Sequence, residues 1–195
     1  ADYNSEIYAI TELGELMAST QITGQQKKAL LRELFMSISS SSESYDFTCP
    51  EGFHCYLGLQ ICYALASLDY KIGVDEMPII TTYDYREIQS FVNDASAYRS
   101  QGIVFPKTHV HYPKTQSGQP LAQSKNLTRS INQILRYCNI VKPKLERIGK
   151  RNYYVCTDEG EVYVDKIKSL WSSGKIVFKR PFEFRKLNIL DQRNL

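Results

Sequence analysis

Residues 124–170 constrain the fold more than any other stretch, because the hydrophobic period there passes from helix to strand and back to helix. Leu127, Ile131, Ile134, Leu135 and Cys138 recur at helical spacing and predict one buried stripe, with Ser124 or Asn126 as its N-terminal cap. Lys144-Leu-Glu-Arg-Ile-Gly-Lys-Arg-Asn152 and Tyr153-Tyr-Val-Cys-Thr157 then read as two short strands joined at Gly149-Lys-Arg-Asn152, a hairpin with a basic tip. Thr157 or Asp158 caps a closing helix that runs through Leu170. The expected class is α+β, mainly helical with short hairpins.

The other stripe of the first helix is Arg129, Asn132, Gln133 and Arg136, at i, i+3, i+4 and i+7. These side chains fork or pair a donor with an acceptor, as base edges in the major groove require: Arg for guanine, Asn or Gln for adenine. A helix face that merely meets water usually mixes Glu with Lys, yet no acid occurs between Ser124 and Leu145. The charge is also unevenly spread. Residues 1–140 carry 11 Lys/Arg against 14 Asp/Glu, whereas residues 141–195 carry 13 against 7. A basic segment beside an acidic one points to a polyanionic partner on one side.

Leu-x-Arg-x-Gly-Lys-Arg-x-Tyr-Tyr-x-x-Thr-Asp-x-Gly resembles the wing and following helix of winged helix-turn-helix proteins. The resemblance implies that the helix before the wing enters the major groove and that the wing tip touches backbone or minor groove. Arg129, Asn132, Gln133 and Arg136 would then read bases, with Lys150 and Arg151 on phosphate. Lys125 at the helix start joins the DNA-contacting candidates. A winged helix that docks protein instead of DNA is the main competitor.

The pattern has an echo. Tyr8-Ala-Ile-Thr11-Glu-Leu-Gly14-Glu15-Leu returns as Tyr154-Val-Cys-Thr157-Asp-Glu-Gly160-Glu161-Val. Such internal similarity predicts a strand at Ile7–Ile10 and a helix at Thr11–Ser19, the end of an earlier winged helix whose leading helices precede Ala1. Further helices are expected at Gln25–Ile38, at Gly52–Leu68 (apolar nearly all round, hence central) and at Thr82–Tyr98, after a serine-rich loop at Ser37–Ser44. Residues 101–124 lack period and are rich in Gly, Pro, Ser and Gln. The expected division is a helical unit at 1–100, a linker or arm at 101–123 and a winged-helix unit with a basic tail at 124–195. Within the arm, His109 and His111 alternate onto one face, and with Lys107 and Lys114 they suggest a phosphate-contacting arm.

This layout, with a Pro-Glu-Gly turn before the apolar helix and the helix around Tyr85-Arg-Glu-Ile-Gln-Ser-Phe-Val, resembles the DNA-recognition region of FokI- and AlwI-like type II restriction endonucleases. The resemblance implies sequence-specific binding of double-stranded DNA, with Mg²⁺-dependent cleavage in a separate nuclease domain. Such a domain uses an Asp and a later Glu-x-Lys to hold the metal and position water. Glu-x-Lys is absent here, so no catalytic residue or cofactor is expected in this chain. A transcriptional regulator or plasmid replication protein with paired winged helices is the alternative.

Other chemistries fit less well. Cys49, Cys55 and Cys62 beside His54 lack the paired Cys-x2-Cys of structural zinc sites, and packed thiols are expected instead. No phosphate-binding glycine loop, dinucleotide motif or nucleophile elbow occurs, and no small-molecule ligand is expected. Asp75-Glu76, Asp84 and Glu87 read as caps and solvated acids. No run of 18 apolar residues exists, Ala1–Glu6 do not read as a secretory leader, and the odd set of five cysteines suggests a reducing, cytoplasmic setting.

Overall fold

A computed structural model describes residues 22–37, 40–41, 53–112 and 125–176. Over these the chain runs α1 (Gly24–Ser37), β1 (Ser40–Ser41), β2 (His54–Cys55), α2 (Leu57–Ser67), β3 (Lys71–Gly73), α3 (Met77–Ile80), a 3₁₀ turn (Tyr85–Glu87), α4 (Ile88–Ser100), α5 (Lys125–Tyr137), β4 (Glu146–Ile148), β5 (Arg151–Val155) and α6 (Asp158–Ser172). Helices with small antiparallel sheets make it α+β. The segment Ile7–Ser19, which holds the first copy of the echo, lies outside the described residues.

The core is built around α2. Every side chain from Leu57 to Leu65 is buried, as expected of a helix apolar on all sides. Its one long polar residue, Gln60, has a partner for each polar atom: Oε1 accepts from the Tyr56 N–H at 2.7 Å and Nε2 donates to the Tyr83 carbonyl at 2.9 Å. The helix starts at Leu57, later than the expected Gly52, because His54–Cys55 pairs with Ser40–Ser41 as a short ladder. Against one flank of α2 lies α6, with Tyr63 and Trp171 at 5.2 Å between ring centroids and Lys168 donating to the Ala66 carbonyl. Another flank meets α4 through Phe91, Val92 and Ala95. The start of α4 also moves, since Asp84 caps a separate 3₁₀ turn at Tyr85–Glu87 by accepting from the Arg86 N–H.

The larger sheet has the order β3-β5-β4, all antiparallel, with Ile72 opposite Tyr154 and Glu146 opposite Tyr153. Its third strand comes from residues 71–73, far ahead of the hairpin it completes. Ile72 and Tyr154 are buried in the same core as Ile61, Leu65, Leu135 and Val164. The expected boundary at 101–123 therefore does not separate two cores among the described residues: sheet and core both run across it.

The echoed residues earn their identity at the start of α6. Thr157 caps it, its Oγ1 accepting from the Gly160 N–H at 2.9 Å while donating to the Asn139 carbonyl at 2.6 Å. Gly160 lies against the Ile140 backbone, where any Cβ would run into the carbonyl oxygen. Threonine followed three residues later by glycine thus encodes how the closing helix docks on the end of α5.

Candidate nucleic-acid interface

Helix α5 takes the orientation its pattern predicts. Ile131, Leu135 and Cys138 are buried and Ile134 half-buried. Arg129 and Gln133 are exposed one turn apart, and Tyr137 continues the row another turn on. Asn132 and Arg136 sit lower, half-buried at the edge of the row. Asn132 Oδ1 and Arg136 Nε are themselves buried, so these two side chains present only part of their polar groups at the surface. Arg136 lies on the hairpin side: burial pushes the Tyr154 phenol up, and the Arg136 charge pulls it back down. The side chains of Lys125 and Leu127 lie outside the described residues.

The end of α5 is fixed by two other elements, α1 and α6. Arg32 of α1 donates from Nε to the Cys138 carbonyl at 2.9 Å, placing a cation at a helix C-terminus. Arg32 and Asn139 together hold the Glu159 carboxyl below the usual range. The Thr157 hydroxyl closes the turn from α6.

The hairpin forms where expected, with a two-residue tip. Gly149 has φ +62°, while Lys150 is not left-handed, the pattern of a type II′ turn with glycine first. Lys150 and Arg147 are exposed, and Arg147 joins the candidate cations although the sequence pattern did not single it out. Arg151, expected on phosphate, is turned inward instead. Its side chain is 12% exposed and binds Asp75 at 2.6 Å and Glu76 at 3.0 Å, so its charge is neutralised inside the protein rather than offered to phosphate. The physical reason is register, since Arg151 shares its sheet face with Tyr153 and points back toward the 74–76 turn. Glu76, expected among solvated acids, is fully buried; it also binds Arg99 at 2.6 Å and accepts from the Gly73 N–H at 2.7 Å. The Tyr153 ring lies near both guanidinium groups, at 5.3 and 5.6 Å.

The arm divides in the same way. Lys107 is exposed, and Lys114 lies outside the described residues. His109 and His111 do share a face, but it is the inner one, with Val110 exposed between them. His111 stacks on Tyr83 at 3.8 Å, and His109 meets Tyr98 and Phe105 edge-on. Both imidazoles serve packing, leaving Lys107 as the arm's described cation.

The described cysteines, Cys55, Cys62, Cys138 and Cys156, are free and buried, and burial pushes the Cys156 thiol up to about 12. Cys49 lies outside the described residues. One Asp-x-Lys triplet does occur, Asp69-Tyr-Lys71, at the turn from α2 to β3. The Asp69 side chain is 88% exposed and pairs with Lys71 at 3.6 Å. Among the described residues no three His, Cys, Asp or Glu side chains gather as metal ligands, and no helix is long and apolar enough to cross a membrane.

From Ser124 to Thr157 the chain carries eight Lys/Arg and one acid, Glu146. That acid is taken up by Lys142 at 2.7 Å. With Lys142 and Arg151 paired, the exposed cations of α5, the hairpin and the segment between them include Arg129, Lys144, Arg147 and Lys150. No family model, no curated protein and no solved structure matches this chain.

Proposed function

We propose that the chain is a winged-helix protein that binds double-stranded DNA sequence-specifically, serving as the recognition portion of a type II restriction endonuclease whose nuclease domain lies elsewhere. The observation that carries the reading is the exposed row on α5 combined with a basic hairpin tip, in a stretch whose one acid is already paired. Arg129 and Gln133 reach base edges, each good bidentate contact discriminating by about 1–3 kcal/mol. Asn132 and Arg136, half-buried at its edge, extend the row. Lys125, Lys144, Arg147, Lys150 and Lys107 supply the sequence-independent attraction to phosphate. A winged-helix regulator or replication protein would use the same surface, and a nuclease domain in the full reading frame separates it from the restriction reading.

Duplex binding measured between about 50 and 200 mM salt tests the proposal. Log affinity should fall linearly with log salt, at roughly 0.9 per neutralised phosphate. A flat response would remove the electrostatic basis of the reading and favour the protein-docking alternative.

A further inference from the structure

Ile148, the last residue of β4, is 46% exposed, and Arg147, Gly149 and Lys150 around it are exposed as well. A lone exposed aliphatic residue is ordinary on a protein surface. Ile148 differs in its place. It stands next to the two-residue tip, between Arg147 and Lys150 in sequence, both exposed, in a run from Arg147 to Thr157 that contains no acid. The type II′ pattern at Gly149 keeps the turn to two residues, so the tip is narrow. Its base is stiff: Ile148 lies opposite Arg151, which Asp75 and Glu76 hold, and Tyr153 behind it is buried. A narrow, firmly based, cationic finger that carries an exposed aliphatic side chain beside its turn is suited to parting base steps from the minor groove.

We infer that Ile148 is an intercalating wedge. The inference rests on the DNA-binding reading above and specifies how the hairpin takes part in it. The hairpin enters the minor groove, Arg147 and Lys150 meet the flanking phosphates, and Ile148 inserts between two base pairs, unstacking them and kinking the duplex toward the major groove. Pyrimidine–purine steps open most easily, so the wedge adds a sequence preference where no base hydrogen bond is made.

The test does not require the recognised sequence. The full chain is added to duplexes of about 150 bp, close to the persistence length, and ligase-catalysed circularisation is followed beside binding to the same duplex. Relaxed plasmid treated with topoisomerase in the presence of the protein reports unwinding in parallel. The wild-type chain should accelerate circularisation several-fold and change the linking number. Ile148→Ala should bind within a few-fold of wild type yet lose both effects, and Ile148→Leu should keep them. Melting of Ile148→Ala at the wild-type temperature confirms that the exposed site leaves folding intact. Tight binding by the wild-type chain without faster circularisation, or acceleration that survives Ile148→Ala, overturns the wedge while the DNA-binding reading stands. Absence of duplex binding overturns both, at the earlier step.

Discussion

His109 is a base whose two ring nitrogens are both engaged. Its Nδ1 accepts from the His111 N–H at 3.2 Å, and its Nε2 faces Asp94 at 3.5 Å. Burial lowers its affinity for a proton, the neighbouring His111 adds to that, and Asp94 opposes it. The folded value therefore lies below the unfolded one, and the unfolded chain takes up the proton more readily. Stability from this residue is fully present above the unfolded value and drains away as pH falls toward the folded value. The melting temperature should drop between about pH 7 and pH 5, and His109→Asn should flatten part of that drop. On α5, position decides what a substitution does. Ile131→Ala or Leu135→Ala should lower stability by about 2–5 kcal/mol in denaturant unfolding. Arg129→Ala and Gln133→Ala should stay within about 0.5 kcal/mol of wild type, yet relax base preference in competition binding. Helical spacing made this division legible, down to the stripe of Ile131, Leu135 and Cys138. It put the partly sunken Asn132 and Arg136 on the same footing as Arg129, because a helical wheel contains no hairpin to crowd one edge.

Among the elements, the hairpin depends on an ion cluster assembled from three places in the chain. Arg151 of β5, Arg99 of α4 and the acids of the 74–76 turn meet around the buried Glu76 carboxylate. Removing one partner of such a cluster leaves a buried charge uncompensated, at a typical loss of about 3–5 kcal/mol. Glu76→Gln and Arg151→Met should each destabilise strongly, and the double variant should lose less than their sum. In DNA binding the same residue separates from its neighbour: Lys150→Ala should lower the salt slope by about one, whereas Arg151→Met, where the variant remains folded, should leave it unchanged. The hairpin and the helices around it could be read from the sequence, since each carries its own period. Strand β3 could not, because Lys71-Ile-Gly73 is three residues with one large apolar side chain, and its partner strand makes it a strand. Asp75 and Glu76 read as solvated for the same reason: the guanidinium groups that pair with them arrive from distant positions.

At the scale of the whole molecule, the same sheet joins what composition suggested were two halves. The change of character after Gln101 is real in the sequence, but a composition shift marks a surface segment as readily as a boundary, and here Phe105 and His109 fasten that segment to Tyr98 of α4 while His111 fastens it to Tyr83. Catalysis belongs to this scale too. Incubated with Mg²⁺, the chain should leave supercoiled plasmid intact on a gel, since the exposed Asp69 and its lysine are not joined by further carboxylates among the described residues. Nicking that follows the purified protein through chromatography would show a site elsewhere. The strand order also bears on how the chain reaches this state. Asp75 and Arg151 are 76 residues apart, and the sheet cannot close until that span has been brought together, so folding should be governed by a late, non-local step and be slow for a chain this helical. Residues 1–112 and 113–195 made separately should each remain molten, with Ile72 and Tyr154 lacking their cover, and should regain cooperative unfolding only when mixed.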